Sequence, residues 1–179
     1  MKNAKVLSIA MFGLSIVGCA VGDEDQQTPA QDDDVTSIAA MAPKAPDSCL
    51  PLAAIARPIL APQYHDPMLQ QTAGKLTLRV GNSGVRTGTS IATIVGVNDA
   101  GVPLGNHDWL FADAGFRTKN DLLNITPTAD PCWFDVTSEI YIVESSGAYA
   151  GLTGTVHAAG PVSFCGAEGR IEISGYVCP

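Results

Sequence analysis

Three histidines, His65, His107 and His157, are the side chains of this sequence best suited to proton transfer or metal binding. Their spacing argues against a metal, since no two stand at the separation of a ligand pair. His65-Asp66 and His107-Asp108 are adjacent pairs. Neighbouring side chains on a strand leave opposite faces, so neither pair forms a histidine–carboxylate couple. His65 and His107 therefore read as surface or turn histidines. His157 follows Val156 in a β-patterned run and shares a face with Thr153 and Thr155, a face that either lines an interior or meets solvent. No Gly-x-Ser-x-Gly elbow presents a nucleophilic serine. Glu139 and Glu144 read as exposed strand charges. The glycine-rich stretch from Gly81 to Gly88 lacks the Lys-Ser/Thr ending and following helix of a phosphate loop. Taken residue by residue, the sequence supplies no catalytic, cofactor or metal site.

The cysteines carry more information. Four of the five, Cys49, Cys132, Cys165 and Cys178, lie beyond residue 48. None forms a Cys-x-x-Cys pair, which disfavours zinc. An even number in an exported chain implies disulfides, and four cysteines allow three pairings. A hairpin turning near residue 147 would set Cys132 opposite residues 162–165. That geometry favours Cys132–Cys165 and leaves Cys49–Cys178 to tie the domain's ends.

The remaining cysteine belongs to the amino end. Lys2 and Lys5 precede an apolar run from Val6 to Val17, too short for a membrane-spanning helix and placed as in a secretory signal. Ile16-Val17-Gly18-Cys19 closes it and resembles the lipobox of bacterial lipoproteins. The resemblance implies a signal peptide over 1–18, cleavage before Cys19, lipidation of Cys19, and membrane attachment through that anchor. Several acyl chains anchor stably where one is marginal. Ala20, rather than Asp, follows the cysteine. By the same resemblance this implies the outer membrane, with the protein facing the periplasm or the cell surface.

Residues 19–47 follow as a disordered acidic linker. Beyond Cys19 the stretch holds seven acids against Lys44, with no aromatic residue and no sustained apolar period. Such a segment cannot bury enough apolar surface to offset its own ordering, and like charges extend it. Of the formal net charge of −8, most resides there. The remainder of the chain has no basic patch, which argues against a nucleic-acid partner.

What must position any site is a β domain. Leu76, Leu78 and Val80 alternate with Lys75, Thr77 and Arg79. Phe134, Val136, Ile140 and Ile142 alternate with Asp135, Thr137, Glu139 and Tyr141. Ile171, Ile173 and Val177 alternate with Arg170, Glu172, Ser174 and Tyr176. Gly, Asn, Asp and Ser clusters punctuate these runs. The pattern predicts strands near 74–81, 87–97, 105–112, 115–125, 133–144, 151–159, 161–166 and 169–177. About eight antiparallel strands joined by tight turns make an all-β domain over 74–179, a single up-and-down barrel or, failing closure, a sandwich. Residues 48–73 contain Pro51, Pro58, Pro62 and Pro67. They read as an extended lead-in with one helical turn at Leu52–Ala56. Most aromatic residues read as core. If the barrel encloses an apolar cavity, Trp109, Phe111, Phe134 and His157 are the residues expected to line it.

One stretch carries a resemblance of its own. Ser146-Gly147-Ala148-Tyr149-Ala150-Gly151-Leu152-Thr153-Gly154-Thr155-Val156 resembles a hairpin of bacterial barrels related to the allene oxide cyclase and dirigent proteins. Residues 108–115, 126–128 and 174–178 resemble further segments of them. The resemblance implies a β-barrel over about 75–178 and, by family, an enzyme that steers a reactive intermediate in the barrel cavity. No acidic catalytic residue of that family can be placed here. The leading expectation from the residues themselves is a non-catalytic barrel, structural or binding a small apolar ligand. A surface adhesion or partner-binding module is the further alternative.

Overall fold

The computed structural model describes residues 46–60 and 71–179; the signal peptide, Cys19, most of the acidic linker and His65 lie outside the described residues. Among the described residues there are nine strands and no helix. They are β1 (Leu50–Leu60), β2 (Gln71–Val80), β3 (Arg86–Val97), β4 (Pro103–Leu110), β5 (Ala114–Thr118), β6 (Asp121–Pro127), β7 (Trp133–Gly147), β8 (Thr153–Ser163) and β9 (Ile171–Cys178). Every pairing is antiparallel. β1 pairs with both β2 and β9, β3 with β4, and β7 with β5, β6 and β8, so the sheet closes on itself. β5 and β6 occupy one position in the ring, each bridging β4 to a different part of β7. Nine strands thus make an eight-membered barrel, which leaves no unpaired edge for another chain to extend.

The stretch read as an extended lead-in is instead a full member of this ring. Leu50–Leu60 is a strand with partners on both sides, and no helical turn forms at Leu52–Ala56. Its prolines are tolerated because of where they face. In an antiparallel strand a residue's N–H and C=O point to the same side. The Pro51 carbonyl accepts from Gly81 N and the Pro58 carbonyl from Gly169 N. The missing N–H of Pro51 therefore lies just outside the β2 ladder, which begins at Leu52. That of Pro58 lies just outside the β9 ladder, which ends at Ala56. Neither proline removes a ladder hydrogen bond.

The other boundaries differ in two places. The strand expected over 115–125 is divided between Thr118 and Asp121, where Asn120 takes a left-handed φ of 56°. The strands expected over 151–159 and 161–166 are one, β8, which passes Gly160 without a break. Gly147 closes the β7–β8 hairpin at φ 60°. A side chain there would be strained by the backbone and would collide with the Asp113 carbonyl.

Both disulfides pair as the hairpin geometry predicts: Cys132–Cys165 with Cα atoms 5.3 Å apart and Cys49–Cys178 at 4.2 Å. They stand at opposite ends of the barrel. We call the end with Cys49–Cys178 the lower end and that with Cys132–Cys165 the upper end. All described strands and both bridges fall within residues 49–178, and ring closure gives each of these strands a partner on both sides. Residues 46–179 therefore hold every described strand together with both its neighbours.

The inward positions fill the two ends differently. Towards the lower end Trp109, Phe116 and Tyr149 pack with Leu52, Leu78, Val80, Ile142 and Val177 in one buried cluster. Phe116 stacks on Tyr149 at 4.8 Å between centroids, Trp109 meets Phe116 edge-on at 6.2 Å, and Phe111 meets Tyr149 edge-on at 6.2 Å. Burial of each such ring stabilises by roughly 1.5–3 kcal/mol.

Candidate functional site

Towards the upper end the inward residues are smaller, and they leave a cavity of about 100 Å³. Ala92 on β3, Gly105 on β4, Ser138 on β7 and Ala158 on β8 line it, together with aliphatic side chains such as Ile94, Leu123 and Ile173. At roughly 30 Å³ per water, this is room for about three waters or a molecule of some half-dozen heavy atoms. The lining is almost wholly apolar, with His107 its one ionisable side chain.

His107 enters from β4. Gly105, His107 and Trp109 alternate inward, while Asp108 points outward to Arg117, its carboxylate accepting from Nε at 2.9 Å. The adjacent His107 and Asp108 thus do leave opposite faces. What the residue order conceals is a different carboxylate. Asp121 at the start of β6 is fully buried, and its Oδ2 lies 2.6 Å from His107 Nδ1. Asp121 is inward because of the break between β5 and β6. Ala114, Phe116 and Thr118 face in, and strict alternation would next turn residue 120 inward. The added residue between the strands re-aims the series, so Asp121, Leu123 and Ile125 face in instead.

Three donors converge on this carboxylate. Tyr141 N donates to Oδ1 at 2.8 Å, and the Thr118 hydroxyl donates to Oδ2. That hydroxyl is the donor because an ionised carboxylate only accepts, and Thr118 Oγ1 in turn accepts from His107 N at 2.6 Å. The third donor is His107 Nδ1. With both carboxylate oxygens acting as acceptors, the ring proton resides on Nδ1 and the orientation of the imidazole is set. Its other nitrogen, Nε2, has no hydrogen-bond partner among the described residues. The arrangement is the orienting half of a catalytic triad, a carboxylate holding a histidine. Among the described residues no serine hydroxyl bonds to Nε2; Ser138 Oγ, on the same lining, is buried without any hydrogen-bond partner.

The four residues expected to line a cavity fall elsewhere. Trp109 is wholly buried in the lower aromatic cluster, and Phe111 packs against that cluster. Phe134 shares the inward face of β7 with Val136 and Ser138 but sits beyond the cavity, edge-on to Phe164 at 4.8 Å between centroids; Phe164 is the aromatic ring of the lining. His157 is exposed on the outer face of β8, opposite Glu139 and Ser174. The reason is size and parity. Large rings fill space rather than border it, and Val156 and Ala158 take the inward positions of β8.

Two tyrosines are electrostatically displaced. Burial pushes the Tyr149 phenol above its ordinary range, against the opposing pull of the Arg86 guanidinium, which sits 5.3 Å over the ring. On the outer wall, the hydrogen bond to the Glu139 carboxylate raises Tyr141 in the same direction. Among the described residues no three His, Cys, Asp or Glu side chains are grouped to hold a metal ion.

No family model, curated protein or solved structure matches the chain.

Proposed function

We propose that this chain is an exported bacterial lipoprotein, lipidated at Cys19 and held at the outer membrane, whose barrel binds a small apolar molecule in the upper cavity. The observation that carries the binding half is the contrast within one interior. A barrel that fills its lower end with aromatic rings leaves about 100 Å³ beside Ala92, Gly105 and Ser138 at its upper end. Cavities in protein interiors are otherwise few and costly. A ligand of this size has a ceiling of about 1.5 kcal/mol per heavy atom, so binding is expected in the micromolar to millimolar range. Native mass spectrometry of residues 46–179 with benzene, and xenon pressurisation of its crystals, test the reading. Xenon density and bound benzene in the upper cavity are expected, both abolished by Ala92→Leu. A cavity that admits neither would end it. The anchor is tested separately. Metabolic labelling with a fatty acid should mark the full chain and not its Cys19→Ser variant.

A second reading has one observation in its favour. The His107–Asp121 couple puts an oriented base beside an apolar cavity, which is what an enzyme that shapes a reactive intermediate, of the kind the barrel family resemblance implies, would use. Turnover of any cavity-bound substrate that His107→Phe abolishes without loss of binding would favour it over a carrier.

A further inference from the structure

We infer that the cavity selects for a hydroxyl group: its ligand is a small apolar alcohol whose O–H donates to His107 Nε2. The inference rests on the proposed cavity binding and adds the chemistry of recognition. Two unpartnered polar atoms of the lining define the recognition, a ring nitrogen and a fully buried hydroxyl. The first is Nε2. Because Thr118, Tyr141 and Nδ1 together occupy Asp121 as an acceptor, the imidazole in its neutral form presents a lone pair, not a proton, on its free side. The second is Ser138 Oγ, 5 % exposed and without a hydrogen-bond partner. A buried hydroxyl left unpaired is costly, so its retention among aliphatic neighbours points to a ligand oxygen, met directly or through one bridging water. An alcohol satisfies both sites: it gives a proton to Nε2 and offers a lone pair to Ser138. A ketone satisfies only Ser138, and a hydrocarbon neither.

The ring of His107 has few electrostatic neighbours. Asp121 is its one charged contact among the described residues. β5 presents Thr118 to it, β3 presents Ser90 and Ala92 to the same cavity, and Asp108 and Arg117 lie on the outer face. Protonating the imidazole therefore changes one thing at the cavity wall: Nε2 becomes a donor. The preference for alcohol over ketone should then reverse.

Cyclopentanol and cyclopentanone, matched in ring size, are the probes. Titrations of residues 46–179 followed by NMR at pH 8 should show cyclopentanol binding about tenfold tighter. At a pH low enough to protonate His107, observed directly from its ring nitrogen shifts, cyclopentanone should bind the tighter of the two. At pH 8 those shifts should report the Nδ1–H tautomer. Asp121→Asn, whose amide can donate to Nδ1 and move the ring proton to Nε2, should favour the ketone even at pH 8. Ser138→Ala should weaken both probes several-fold with little change in their ratio. Equal affinities at pH 8, or an Nε2–H tautomer in the unaltered protein, would overturn the hydroxyl selectivity while leaving an apolar cavity in place. Failure of both probes, and of benzene, would overturn the cavity reading with it. The tautomer measurement needs no variant, so a misfolded Asp121→Asn does not protect the inference.

Discussion

The two ends of this barrel are built on the same strands yet solve opposite packing problems. At the lower end Trp109, Phe116 and Tyr149 converge, and little space remains between them. At the upper end the inward positions hold Gly105, on the strand of Trp109, and Ser138, with Ala92 and Ala158 beside them, and space is left over. Barrel radius is set by strand number and shear, not by what fills it. Side-chain volume at inward positions therefore decides which end is solid. The solid end supplies stability, and the hollow end holds the buried His107–Asp121 couple.

The sharpest way to break this contrast is to hollow the solid end. Trp109→Ala should cost about 3–5 kcal/mol in urea unfolding, because the surrounding rings cannot collapse into the void. An equal cost from Phe134→Ala, at the upper rim, would erase the distinction; a markedly smaller one is expected there. Next in size is the difference between the two bridges. In the chain-entropy account a longer loop is stabilised more. Removing Cys49–Cys178, which spans 129 residues, should cost about 1 kcal/mol more than removing Cys132–Cys165, which spans 33. Paired alanine variants followed by thermal unfolding under non-reducing conditions measure it. Comparable in size but opposite in sign is Ser138→Ala. Deleting a buried, unpartnered hydroxyl should raise stability by up to about 1 kcal/mol in the absence of ligand. A loss would show that Ser138 is already satisfied.

The smallest effect concerns alkaline pH. Tyr149 has its phenol raised above the ordinary value near 10 by burial. A group raised in the folded state contributes stability that is fully present below the unfolded value and lost as pH rises through the folded one. The barrel should therefore weaken above about pH 10, where the unfolded chain ionises this phenol first. Tyr149→Phe should remove part of that loss and change little at pH 7. Unfolding curves at both pH values of the two proteins decide it.

How far the sequence revealed this architecture depends on parity. Where one strand face is buried, alternation shows, and β2, β7 and β9 are legible from Leu76, Ile140 and Ile173 with their polar neighbours. The disulfide pairing followed from the length of the β7–β8 hairpin. β1 was obscured because Leu52, Ala53, Ala54, Ile55 and Ala56 are all buried, so both faces are covered and no alternation appears. Its prolines read as strand breakers, because the side to which each carbonyl points, and so the side of the missing N–H, is not visible in the residue order. His107 was within reach: Trp109, two residues on, reads as core, and the residue two before it shares that face. Asp121 was not. Its inward aim depends on one additional residue near Asn120, and a single displaced residue inverts every side chain beyond it. The alternation that makes strands legible thus hides the carboxylate that orients the histidine.

The Cys49–Cys178 bridge has a mechanical consequence. The chain that precedes residue 46 joins the barrel at its lower end, where Cys49 is cross-linked to the last strand three residues after Gly175. Tension arriving along that leader meets a covalent junction before it reaches any ladder of hydrogen bonds. The load divides between β1 and β9, and the upper rim, on the far side of the aromatic plug, bears none of it.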